Sequence, residues 1–296
     1  MSETKELLQK LYAGDKKALA RCITIVENEL EGFEEILSLL KFKKNVLLIG
    51  ITGPPGAGKS TLINAVIKTL SGQKKSVGII AIDPTSPFNF GSLLGDRLRM
   101  SEHFTDEKVF IRSLATRGSL GGLSAKTIEI ADVMRASDFD YVIVETVGVG
   151  QSEVEIAGLA DVTILVLVPE SGDEVQTLKS GIMEIADIFV VNKSDRDGAD
   201  IFVKNLISLV HSKEKEVPVI KAVATTSDGV NELIAAIEKL GSSKQSEKKL
   251  FLLVEKAYRL IQNKRMKDIS KKELQKKIEE EISKGDFNLY TFADKF

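Results

Sequence analysis

The sequence holds one cysteine, Cys22, so an intramolecular disulfide is impossible and a cysteine-rich metal site is excluded. Histidine is nearly as scarce, with His103 and His211 standing isolated. An excess of one charge is missing too. Lysine and arginine number 41 against 43 acidic residues, a formal net charge of −2, without the basic surplus of a general nucleic-acid binder. The longest apolar run, "VTILVLV" at 162–168, has the length of a buried strand and falls far short of a bilayer span. The opening "MSETKELLQK" offers no apolar core of the kind a secretory signal needs. The expectation from these absences is a cytoplasmic protein that engages neither membrane nor nucleic acid.

The 296 residues suffice for one large α/β domain with helical additions, or for two small domains. Residues 5–42 carry helical periodicity: Leu7, Leu8, Leu11 and Tyr12 form one stripe, and Leu19, Ile23, Val26 and Leu30 resume it. Between them Gly14-Asp15 fits a helix end followed by a new N-cap. From Lys44 the pattern changes to short β-branched runs at 45–51, 76–82, 109–114, 141–145, 162–168, 188–192 and 218–224. Helices are expected between most of them, near 59–71, 124–137, 173–185, 199–212 and 229–241. Continuous apolar strands alternating with helices predict an α/β fold with a mainly parallel sheet covered on both faces. In such sheets the ligand crevice lies beyond the carboxyl ends of the strands. After the polar "GSSKQSEKK" at 241–249 a helical tail follows. The expected layout is an N-terminal helical extension at 1–43, an α/β domain at 44–241 and a C-terminal helical arm at 242–296.

"GPPGAGKS" at 53–60 fits the phosphate-binding loop pattern G-x-x-x-x-G-K-[ST], after a predicted strand and opening a predicted helix. Gly53, Gly56 and Gly58 let the backbone wrap closely, so that its N–H groups point at phosphate oxygens. Lys59 can reach the β- and γ-phosphates, the Ser60 hydroxyl can ligate Mg²⁺, and the helix N-terminus adds positive potential. "NKSD" at 192–195 closes the sixth predicted strand. A buried Asp195 can accept from the N1–H and the amino group of guanine, a pair that adenine lacks. Asn192 and the stem of Lys193 would brace loop and ring. In "VATTSDG" at 223–229 a backbone N–H could contact the guanine oxygen.

Three carboxylates fall where a Mg²⁺ shell would need them: Asp83, Asp96 and Glu145. Asp83 before Pro84 also reads as a turn former, and Asp96 as a surface partner of Arg97 or Arg99. Glu145 opens "ETVGVGQSE" at the end of a buried strand, where no purely structural reason for an acid is evident. Gly148 can sense the γ-phosphate through its N–H. Gln151 reads equally as positioning the attacking water or as opening a helix. Arg97, Arg112 and Arg117 are candidates for stabilising transition-state charge, with surface salt bridges as the alternative.

The blocks "ITGPPGAGKSTLINA", "AIDPTSPF…GSLLGDRLRM", "LATRGSLGGLSAKT", "ETVGVGQSE" and "PESGDEVQTLKSGIMEIADIFVVNKSD" resemble the MeaB/ArgK GTPases, the MMAA-like chaperones of adenosylcobalamin-dependent methylmalonyl-CoA mutase. The resemblance runs from about residue 7 to 240. It implies a P-loop GTPase of the signal-recognition/MinD-like branch with N- and C-terminal helical extensions, and a homodimer built partly by the C-terminal arm. Slow GTP hydrolysis would gate cofactor loading and protect the mutase. By the same resemblance the phosphate loop comprises Gly53, Pro54, Pro55, Gly56, Ala57, Gly58, Lys59, Ser60 and Thr61. Asn192, Lys193 and Asp195 match the guanine site, and Val223, Ala224 and Thr225 the final nucleotide loop. Ser60, Asp83, Asp96 and Glu145 match the Mg²⁺ region, and residues 170–181 match a mobile loop that relays nucleotide state to the mutase. The chain departs from the family at Asn89 and Phe90, where a Thr/Gly-rich stretch is usual, and at Val223-Ala224, where Ser-Ala is usual.

Catalysis of phosphoryl transfer is mostly positioning and charge stabilisation, which makes Lys59, Glu145 and Gln151 the catalytic candidates. Three rivals remain: a nickel-insertion GTPase, which generally carries Cys/His sites; a transport-associated kinase or ATPase, which needs ATP; and a scaffold that binds nucleotide without turnover.

Overall fold

A computed structural model describes residues 3–42, 46–83, 100–115, 125–146, 152–171, 186–211 and 217–242; in the last stretch it describes 254, 257–258, 260–262, 264–266, 268–285 and 287–294. Seven strands form one sheet: β1 (Leu47–Thr52), β2 (Val77–Asp83), β3 (Val109–Ala115), β4 (Tyr141–Glu145), β5 (Val162–Leu167), β6 (Ile188–Val191) and β7 (Val219–Lys221). Their order is β3-β2-β4-β1-β5-β6-β7, and every neighbouring pair is parallel. All seven coincide with the β-branched runs of the sequence. β4 and β5 are buried along their whole length, as strands covered on both faces must be.

The helices are α1 (Glu3–Tyr12), α2 (Lys16–Glu27), α3 (Phe33–Leu39), α4 (Lys59–Gly72), α5 (Ala125–Ala136), α6 (Ser152–Leu159), α7 (Ala199–His211) and α8 (Val230–Ser242), followed by α9 (Lys271–Ser283) and α10 (Leu289–Ala293). Gly14 ends α1 at φ +84°, and Asp15 caps α2 by accepting from the Ala18 N–H at 2.7 Å, as the sequence predicted. One helix, α6, was foreshadowed only by the alternative reading of Gln151 as a helix-opening residue. Its eight residues, with Gly158 among them, show no helical stripe. The helix expected near 173–185 lies outside the described residues.

On one face α4 and α8 cover the sheet, with Leu62, Ile63, Val66, Leu233 and Ile237 against Ile49, Ile51, Ile143 and Ile164. On the other, α1, α2, α5 and α6 set Leu11, Leu19, Ile23, Ile130 and Ile156 against Leu48, Ile80, Val142 and Val144. There α7 covers β5 and β6 through Phe202 and Leu206. The N-terminal helices therefore share a core with the sheet. Ionic contacts hold them as well: Glu27 pairs with Arg112 of β3, and Lys126 of α5 meets Glu29, just past α2, at 2.9 Å. Residues 1–249 form one compact unit and 250–296 a second. In the second, Phe287 and Phe292 pack with ring centroids 5.8 Å apart. Among the described residues no helix is long and apolar enough to cross a membrane.

Candidate functional site

Strand β1 lies between β4 and β5, so the chain leaves it at the point where the connections diverge to the two sides of the sheet, the place where open α/β sheets hold ligands. The loop from Gly53 to Gly58 joins the end of β1 to α4. Gly53 has φ +143°, and a Cβ there would come within 2.1 Å of the Val166 carbonyl oxygen of β5. No other residue fits so close to a neighbouring strand. Gly56 and Gly58 take φ +79° and +83°, which turns the loop back on itself. Lys59 is buried, and its ammonium donates to the carbonyls of Gly53 at 2.8 Å and Pro54 at 3.1 Å. The amine is therefore held across its own loop. Phosphate oxygens are stronger acceptors than carbonyls and can take over these donors.

Ser60 follows, buried at the start of α4, and its hydroxyl donates to Glu145 Oε1 at 2.7 Å. Glu145 ends β4 in register with Ile51 of β1 and Ala81 of β2. The Ser60 hydroxyl spends its one proton on Glu145, which leaves the hydroxyl lone pairs for another group. Hydroxyl and carboxylate oxygens are the hard donors that Mg²⁺ takes, and the pair fits that ion. Asp83 ends the adjacent strand β2, two residues beyond the level of Glu145. Asp96, Gly148 and Gln151 lie outside the described residues, as do Arg97 and Arg117; α6 begins at the residue after Gln151. Arg112 is not brought to this site: it lies within β3 and its guanidinium is held by Glu27.

The "NKSD" turn sits beside the same loop. Asn192 is buried; its amide donates to the Ala57 carbonyl at 2.9 Å and its side-chain oxygen accepts from the Ala224 N–H at 3.1 Å. One side chain thereby joins the phosphate loop, the "NKSD" turn and the 223–225 loop. Lys193 adopts φ +55° and its ammonium donates to the Gly56 carbonyl at 2.8 Å. Asp195 is exposed rather than buried, because the turn lifts off the sheet after Asn192. The Ala224 N–H is spent on Asn192, which leaves the neighbouring exposed Thr225 as the residue of that loop presented outward. Two features had escaped the sequence reading. Thr146 donates to Thr52 at 2.9 Å beneath the loop, and Arg196 pairs with Glu170 beyond β5. Residues that meet from chain positions so far apart leave no periodic trace.

The family model described as "Methylmalonyl Co-A mutase-associated GTPase MeaB" matches residues 19–283. The chain belongs to the MeaB family. A provisionally named GTPase of Pyrococcus abyssi is 47% identical over 290 residues, covering 95% of this MeaB-family chain and 88% of the relative. A mouse (Mus musculus) protein named methylmalonic aciduria type A homolog, mitochondrial, is 39% identical over 202 residues, 63% of this chain and 49% of its own. Among solved structures, one described as an LAO/AO transport system kinase superposes with a TM-score of 0.71 at 25% identity, covering 100% of this chain and 97% of that one. Family and fold together make the chain a P-loop GTPase, with GTP and GDP as its nucleotides.

Proposed function

We propose that this MeaB-family GTPase hydrolyses GTP slowly to gate adenosylcobalamin loading of a cobalamin-dependent acyl-CoA mutase of the methylmalonyl-CoA type, and to protect that mutase. It acts in the cytoplasm, as a homodimer, with residues 242–296 as the dimerisation arm. The observation that carries the nucleotide part is the Asn192 bridge, which presents the exposed Asp195 next to the phosphate loop. The family description and the mouse relative's name support the mutase part.

In this reading the backbone from Gly53 to Thr61 wraps the phosphates, and Lys59 exchanges its two loop carbonyls for β- and γ-phosphate oxygens. Ser60, Glu145, Asp83 and Asp96 would hold Mg²⁺, which when bound neutralises charge on those oxygens. Glu145 orients the Ser60 hydroxyl, Gly148 meets the γ-phosphate through its N–H, and Gln151 places the attacking water. Lys193 steadies the loop from below the base, while Asp195 accepts from the guanine edge. The closing loop is supplied by Val223, Ala224 and Thr225.

The decisive variant is Asp195→Asn. It should lower GTP affinity by about 100-fold and shift preference toward xanthosine triphosphate, since the new amide donates where guanine also donates. Unchanged GTP affinity overturns the base-reading assignment. A second reading, a transport-associated kinase, is favoured by the description of the superposed structure and requires ATP. Competition of GTP and ATP for the same site decides between them. Capture of the candidate mutase by the GDP-bound and GTP-analogue-bound protein tests the partner: state-dependent capture is expected, and none in either state removes the mutase from the proposal.

A further inference from the structure

Strand β1 ends on Thr52, and beside it Thr146 directly follows the last residue of β4. Thr146 Oγ1 donates to Thr52 Oγ1 at 2.9 Å, and the Thr146 N–H donates to the Ile51 carbonyl at 3.1 Å, so the pairing runs one residue past Glu145. Both side chains are enclosed, at 0% and 1% exposure. Strand alternation sets Thr52 on the face of Leu48, and Thr146 on the face of Val142 and Val144. That face is the one α6 covers through Ile156; Ile51 and Glu145 lie on the opposite face, with α4.

Consecutive residues at the end of β4, Glu145 and the Thr146 that follows it, are therefore hooked to the two roots of the phosphate loop. Glu145 takes the hydroxyl of Ser60, just after the loop, on one face of the sheet. Thr146 holds Thr52, just before Gly53, on the other. Between these hooks the loop has little freedom to shift relative to the end of β4.

Stability alone does not call for the hydroxyls. A buried hydroxyl left without a partner costs about 1–3 kcal/mol, but replacing both members of a pair by apolar groups of the same shape is close to neutral. Two valines would pack into this apolar layer with the same branching. What a hydrogen bond adds is direction and a fixed separation, whereas two methyl groups can slide past each other.

We propose that Thr52 and Thr146 are positioning residues for GTP hydrolysis, their hydroxyl bridge holding the end of β4, and Glu145 on it, at a set distance from the phosphate loop. The inference rests on the GTPase reading above. The bridge acts through Glu145 and Gly53. Its loss lets the two strand ends drift, and misplacement of a fraction of an ångström bears on the aligned γ-phosphate far more than on the diphosphate that the loop wraps.

The test uses the full chain, with Thr52→Val, Thr146→Val, the double variant and Thr146→Ser. GDP affinity, the affinity ratio of a non-hydrolysable GTP analogue over GDP, and single-turnover hydrolysis are measured for each. Expected are GDP affinity within about twofold of wild type, an analogue-to-GDP ratio lowered several-fold, and kcat at saturating GTP down about tenfold. The double variant should be no worse than the singles, because one bond is lost in each, and Thr146→Ser should recover most of the rate. A double valine variant with wild-type kcat and wild-type analogue-to-GDP ratio overturns the proposal, whatever its melting temperature. Equal losses of GDP and analogue affinity also overturn it, as they report a collapsed loop. A wild-type chain that binds neither nucleotide removes the GTPase reading itself, a result distinct from either.

Discussion

Glu145 reaches the Ser60 hydroxyl from the end of β4, and its length is what permits the contact. An aspartate is one methylene shorter and would leave the hydroxyl without that acceptor. Glu145→Asp should lower single-turnover hydrolysis by about tenfold or more while GDP affinity holds, since in the proposed mechanism the lost contact serves alignment rather than diphosphate binding. Unchanged turnover at saturating Mg²⁺ would show that the methylene has no role in the reaction. Cys22 makes a different case. It is fully buried among the N-terminal helices, and burial pushes its thiol up to about 11. At pH 8 roughly one part in a thousand is then thiolate, the reactive form. Iodoacetamide at pH 8 should leave the folded chain unmodified by mass and alkylate it fully after denaturation. Rapid alkylation of the folded chain would mean that α2 opens readily.

At the scale of elements, the phosphate loop depends on strand neighbours as much as on its own glycines. Gly53 and Gly56 both take positive φ, but only Gly53 faces a wall: its added Cβ meets the Val166 carbonyl, while one on Gly56 meets nothing within 4 Å. Gly56→Ala should cost about 1 kcal/mol of backbone strain and keep nucleotide binding. Gly53→Ala should cost about 2 kcal/mol or more and abolish it, because β1 and β5 must separate to admit the methyl. Denaturant melts and GDP titrations of the two variants measure this contrast; equal behaviour would mean that the loop yields as one piece. The motif spelling fixes glycine at 53 and leaves 56 open, and the pairing of β1 with β5 supplies the physical reason that Gly53 is indispensable.

Across the whole molecule, the N-terminal helices and the sheet share one core. Leu11, Leu19 and Ile23 pack with Ile80, Val142 and Val144, and Glu27 holds Arg112. We therefore propose that residues 1–43 are needed for the α/β domain to fold, whereas 250–296, a compact unit of its own, can be removed. A fragment of residues 1–249 should give a cooperative melt, and one of 43–249 should expose the apolar face of β2 and β4 and aggregate. A soluble, cooperatively melting 43–249 fragment would defeat this view. Much was decided by the sequence itself: seven apolar runs with helices between them become seven parallel strands, because only a doubly covered sheet buries such runs. The phosphate loop and the "NKSD" turn were also legible, since their spacing is dictated by short-range backbone geometry. Other features belonged to the tertiary structure alone. Asn192 tying Ala57 to Ala224, Thr146 meeting Thr52, and Arg112 turning to Glu27 instead of the site all join residues dozens of positions apart. Such partners are set by strand order and by the face on which each side chain emerges, and neither is written in local spacing.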